Sequence, residues 1–207
     1  PEASVIRFAE RVGPVPIEVA ATGPKVIAAA ARHADRVFLA LGAQPERVQW
    51  GVEAARRAAA DAGRDPEELA FGAYVNVVCH DDVARAREIG RGSASLFARF
   101  SAMHGTVASP ADEVQSKVFT DVRNAYDMNR HARDDGAQTE VLTGEFLDEF
   151  AIMGPVDHCV ERLARLVEIG ITKFNVSGAS IVSPDPEAAA ASQRFIGEVV
   201  PQLRTAG

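Results

Sequence analysis

The run PIEVAATGPKVIAAAARHADRVFLALG, from Pro16 to Gly42, leaves few folds open. Ile17 to Ala21 is a short apolar strand, Pro24 to Ala34 has the Ala-rich pattern of a helix, and Arg36 to Leu41 is apolar again. The order is a βαβ unit. Thr22 or Gly23 serves as N-cap, and Pro24 fits the first helical turn, where a missing N–H costs nothing. Gly23 has no side chain, so a ligand can approach the backbone where free N–H groups and the positive helix end favour an anion such as phosphate. Leu41-Gly42-Ala43 closes the second strand in the same way and feeds another helix. Both turns then lie on one edge of a parallel sheet, the edge where α/β folds place their sites.

The rest of the chain repeats that unit. Residues 1 to 13 read as a short amphipathic helix closed by Gly13, and Pro45 to Ala62 as a long one with Val48, Val52, Ala55 and Ala59 on its inner face. Leu69 to Cys79 is a nearly continuous apolar strand, as in a sheet covered on both faces. A helix begins at Asp81-Asp82 and continues towards Met103, with interruptions expected at Gly90 and Gly92. The stretch from His104 to Phe150 is polar, irregular and mostly helical, and residues 81–151 read as a helical insertion within one domain spanning 1–207. EFLDEFAIMG is taken as helical, Gly154 to Ile169 as a turn and helix, Thr172 to Ser177 as the fourth strand, and Pro184 to Leu203 as the last helix. Four parallel strands with helices make half of a closed (β/α)8 barrel of the TIM type.

Composition narrows the partners. A net charge of −7 supplies no excess of Lys and Arg for a nucleic acid or an anionic membrane, so any bound phosphate is a small one. No apolar run approaches the roughly 20 residues that span a bilayer, and a cytoplasmic location is expected. Cys79 and Cys159 form no disulfide framework or zinc spacing and read as two buried thiols. His104, His131 and His158 lack a metal-type partner at helical spacing, and no metal is expected. The chain starts at Pro1 in a helical pattern, which reads as a start within a longer protein.

Ala20-Ala21-Thr22-Gly23-Pro24, the following Ala-rich helix and Ala34-Asp35 resemble the second half of the luciferase-like monooxygenase class, with Arg36 where the class often has Gly. AIMGPVDHCVERLARLVEIGITKFNVSG resembles the seventh helix and eighth strand of the same class. These are (β/α)8 enzymes that use FMN or the deazaflavin F420, and the reductases similar to methylenetetrahydromethanopterin reductase look closer than true luciferases. The resemblance implies an oxidoreductase in which F420, or alternatively FMN, exchanges a hydride with a small organic substrate. It also implies that this chain is the carboxyl-terminal half, whose partners are the missing amino-terminal half of the barrel and a second copy in a homodimer. The rival is a half barrel that binds a cofactor or pairs with another chain and performs no turnover.

The strand ends supply the candidate contacts. Ala21, Thr22, Gly23 and Pro24, then Leu41, Gly42 and Ala43, are the turns through which members of the class hold the cofactor tail. Asn76 and His80 lie at the carboxyl end of the third strand, and Ser177 with Gly178 ends the fourth. His80 either polarises a substrate or caps the next helix. No catalytic residue is otherwise marked. Hydride transfer needs little acid–base apparatus, because the cofactor carries the chemistry while the protein orients it and excludes water.

Overall fold

The computed structural model describes residues 13, 15–179 and 185–205. Strand β1 (Glu18–Ala21), helix α1 (Pro24–His33) and strand β2 (Arg36–Leu39) form the expected βαβ unit. They are followed by α2 (Pro45–Asp61), β3 (Ala70–Cys79), α3 (Val83–Ser101), α4 (Glu113–Ala125), α5 (Ala137–Glu140) and α6 (Gly144–Phe150). The chain continues through β4 (Ile152–Gly154), α7 (Val156–Glu168), β5 (Ile171–Ser177) and α8 (Pro186–Arg194). A π turn (Phe195–Val199) then leads into α9 (Val200–Thr205). The helix anticipated over residues 1 to 13, its closing Gly13 apart, and Pro184 fall outside the described residues.

Every strand pairing is parallel. Ala21 pairs with Leu39, Leu39 with Ala73, and Asn76 with Ser177, so β1, β2, β3 and β5 lie in that order. β3 is the hub. Its first residues pair with β2, its last three with β4, and its length with β5. Among the described residues the sheet does not close, as befits part of a TIM-type barrel.

The two faces of β3 are covered differently. Phe71, Ala73, Val75 and Val77 join α1, α2 and α7 in one core through Ile27, Val48, Val52, Leu163 and Leu166. Burying a side chain such as Ile27 completely contributes about 1.5–3 kcal/mol. The alternate residues point the other way. The Tyr74 ring lies 5.0 Å from Phe38 and 5.8 Å from Phe97 of α3, while Asn76 Nδ2 donates to Ser93 Oγ at 2.8 Å. Helix α3 therefore crosses the inner face of the half barrel, on the side away from α7. Below it, nearer the amino ends of the strands, an open hollow of about 410 Å³ is lined by Glu18, Phe38, Tyr74, Lys173 and Asn175.

Three sequence expectations need correction. Ile152–Gly154 is a strand rather than a helix end, because it finds the free flank of Val77–Cys79. Helix α3 runs without interruption through Gly90 and Gly92. A Cβ at Gly90 would lie 2.3 Å from Met153 Cε, so the glycine serves close packing and does not break the helix. The final helix carries a π turn just before Pro201, which has no N–H to give the ladder.

Candidate functional site

The site begins where β1 stops. Ala21 is fully buried, and its carbonyl accepts from Ala40 N at 2.9 Å, which ties the ends of β1 and β2 together. Thr22 and Gly23 then turn into α1 half-buried, with Pro24 and Lys25 exposed. Gly23 is the N-cap in an extended conformation, and no side chain caps this helix. Its first-turn amides are thus left to solvent or a ligand. Pro24 has none, so Lys25 N and Val26 N are the available donors.

Facing this turn is the carboxyl end of α3. Thr22, Gly23, Pro24 and Lys25 share a cavity of about 480 Å³ with Phe100, Ser101, Met103 and His104. An aromatic series leads to it along the inner face: Phe38, Tyr74, Phe97 and Phe100 have successive ring separations of 5.0, 5.8 and 6.1 Å. The cavity lining combines apolar Val26, Phe100 and Met103 with polar Thr22, Lys25, Ser101 and His104. That combination suits a planar ring carrying an anionic tail.

Behind the α3 wall lies Arg47, the largest fully buried side chain among the described residues. Nε donates to Leu41 O at 2.9 Å, Nη1 to Pro110 O at 2.9 Å and Nη2 to Ser101 Oγ at 2.8 Å, and the guanidinium stands 4.5 Å from the Phe119 ring. No carboxylate pairs with it among the described residues. Burial lowers its pKa to about 10, so it stays charged at neutral pH.

The remaining sequence candidates are placed elsewhere. Leu41, Gly42 and Ala43 are buried under α6, where Ala43 N donates to Phe150 O at 2.8 Å. Gly42 has φ +84°, and a Cβ there would meet the Phe150 ring at 2.6 Å. Asn76 is spent on Ser93. His80 Nδ1 accepts from Asp82 N at 3.0 Å, which closes the turn into α3, and Asp82 caps that helix. Ser177 and Gly178 sit half-buried at the end of β5, with Gly178 beside Val77 O and Ser192. Of the predicted contacts, Thr22, Gly23 and Pro24 line the cavity, and the other two turns do not.

Sequence reasoning missed Ser101 and Arg47. The one available signal was Arg47 itself, which occupies the same helical stripe as the apolar Gly51, Ala55 and Ala58. The cysteines are free and buried, and Cys159 Sγ donates to Gly154 O at 3.4 Å. Burial raises both thiols, Cys159 to about 12. Among the described residues no group of His, Cys, Asp and Glu could hold a metal ion, and no helix is long and apolar enough to cross a membrane.

Comparison with known proteins gives the family and the fold. A family profile described as luciferase-like monooxygenase matches residues 2–173. The 5,10-methylenetetrahydromethanopterin reductase of Methanolobus tindarius is 28% identical over 199 residues, covering 88% of this chain and 53% of its own length. The coenzyme F420-dependent tetrahydromethanopterin reductase from Methanopyrus kandleri superposes with a TM-score of 0.63 at 23% identity, over 91% of this chain and 51% of its own. An F420-dependent secondary alcohol dehydrogenase, solved with an F420–acetone adduct, gives 0.63 at 19% identity over 93% and 50%. The two structures share the fold. The chain spans about half the length of the curated relatives it matches.

Proposed function

Because the chain belongs to the luciferase-like monooxygenase family, we propose that it is the carboxyl-terminal half of an oxidoreductase barrel using F420, or alternatively FMN, on a small organic substrate. The observation that carries this reading is the cavity between the uncapped start of α1 and the end of α3. Its donors fit the anionic tail of such a cofactor, while Phe100, with Val26 and Met103, supplies an apolar wall for a ring. The bound cofactor would supply the hydride chemistry. The chain's own residues hold the tail through Lys25 N and Val26 N, add positive charge through Lys25, and keep water off the ring side through Phe100 and Met103. Residues 81–151 act as the insertion that roofs the cavity.

Titrating the protein with F420 and with FMN, and following the bound chromophore by fluorescence, tests the reading. Saturable binding of one of them is expected, and F420 is the first choice because relatives named for it share the fold. Binding of neither overturns it.

The open hollow and the unpaired outer edges of β1 and β5 favour completion of the barrel by four further strand–helix units, from another segment or another chain. The alternative of a half barrel that pairs without turnover rests on the same edges. Sedimentation of the 207-residue chain separates the two: a stable dimer without cofactor binding supports the alternative.

A further inference from the structure

The inner wall of the cavity contains a polar group that the fold leaves half used. Ser101 is 7% exposed, and its Oγ accepts from Arg47 Nη2 at 2.8 Å. Among the described residues nothing accepts the proton of that hydroxyl, and Ser101 is one of the residues around the cavity that Thr22 and Gly23 also line. A serine whose oxygen is already engaged by a guanidinium is held as a donor, since the arginine has no acceptor capacity to offer in return. Arg47 in turn is 1% exposed, and the two carbonyls and one hydroxyl it bonds bring no negative charge to it. A cation buried without a counter-charge is costly, and an anion settling nearby offsets that cost. The chain as a whole carries net charge −7, so this local excess of positive charge runs against the background.

We propose that Ser101, backed by Arg47, is a ligand-binding residue that donates to a phosphate oxygen held on its other side by the first-turn amides of α1. This assignment deepens the cofactor reading above and rests on it. Ser101 touches the ligand, while Arg47 is a positioning residue: it orients the hydroxyl towards the cavity and supplies the charge behind it. Two structural units thereby grip one group, the strand-end turn of β1 and the final turn of α3. The phosphate belongs to a small molecule whose ring lies along Phe100.

The test is a titration of the ¹⁵N,¹³C-labelled chain with inorganic phosphate, followed by NMR, and repeated with FMN and with riboflavin, which lacks the phosphate. In the native chain the amides of Lys25 and Val26 and the Cβ of Ser101 are expected to move along one isotherm with phosphate and with FMN, and Ser101 to stay still with riboflavin. Ser101→Ala is expected to weaken phosphate binding about tenfold, the worth of one charge-assisted hydrogen bond, and Ser101→Thr, which keeps the hydroxyl, to restore it. If Lys25 and Val26 respond while the Ser101 Cβ is static, or if Ser101→Ala binds like the native chain, the assignment of Ser101 falls and the α1 cradle stands. If neither Lys25 nor Val26 responds to phosphate or FMN, the cradle and the assignment fall together. The Cβ readout is taken on the native chain, so the outcome does not depend on how well a variant folds.

Discussion

Glu18 and Lys173 sit on strands that never pair, yet the lysine Nζ lies 2.9 Å from both carboxylate oxygens of the glutamate. The bond spans the hollow on the inner face of the half barrel and draws β1 towards β5 across β2 and β3. Arg36 joins it with Nε 3.0 Å from Glu18 and Nη1 2.7 Å from Thr172. This polar lattice occupies the amino ends of the strands, the end that barrels use for stability, whereas the cavity lies at the other end.

The lattice makes stability sensitive to acid. The hydrogen bond from Lys173, helped by Arg36, holds the Glu18 carboxyl below its ordinary value of 4.5. A depressed carboxylate stabilises the fold fully above the unfolded value and loses that contribution as the pH falls through the folded one. Urea midpoints of native chain and Lys173→Met are therefore expected to differ at pH 6, to draw together as the pH falls past 4.5, and to converge once it is below the lowered value of the folded chain. A difference that persists undiminished in acid would place its origin elsewhere.

Arg47→Ala removes a buried side chain and orphans the carbonyls of Leu41 and Pro110. A loss of about 3 kcal/mol is expected by urea denaturation, from the cavity and the unpaired acceptors together. Arg47→Lys keeps a charge but cannot reach three acceptors in a planar fork, and it is expected to recover only part of the loss.

Gly42→Ala combines a left-handed backbone, φ +84°, with a Cβ driven into the Phe150 ring. Strain and overpacking together are expected to cost about 3 kcal/mol. Gly23→Ala provides the contrast, since a Cβ there meets nothing within 4 Å. It is expected to leave thermal unfolding nearly unchanged while hindering the approach of a cofactor, seen as a weaker FMN or F420 titration.

Cys79 and Cys159 are buried and their thiols are raised by burial, so the thiolate that reacts is scarce. Iodoacetamide at pH 8 is expected to modify neither in the folded chain and both in urea, with mass spectrometry as the readout. Fast labelling of Cys159 under native conditions would contradict the packing of α7 on β3.

The parts of this fold that were legible in the sequence are those written in local pattern. β1, α1, β2, α2 and β3 announce themselves through apolar runs and Gly or Pro punctuation, and their observed limits fall within two residues of the expected ones. The resemblance to the family rested on the same segment and on the one before β5. β4 was illegible because three residues carry no period, and Ile152–Gly154 becomes a strand only where β3 offers it a flank. The turn at Gly42 shows the limit of reading a site from turn chemistry: its glycine looks like that of Gly23, but Phe150 covers one and not the other. Ser101 was beyond reach for the same reason, and Arg47 showed only as a charge on an apolar stripe, since the meaning of both lies in a contact between segments distant in the chain.

The central position of β3 also dictates a timetable for synthesis. On one flank it meets β2 almost at once, but its other flank pairs Phe71 with Ile171, a hundred residues later. At a translation rate of about 5–20 residues per second, that flank waits roughly 5–20 s for its neighbour. During the wait the nascent chain displays an apolar ribbon with open hydrogen-bonding groups, so β5 emerging from the ribosome is the event that ends its exposure to chaperones and to aggregation.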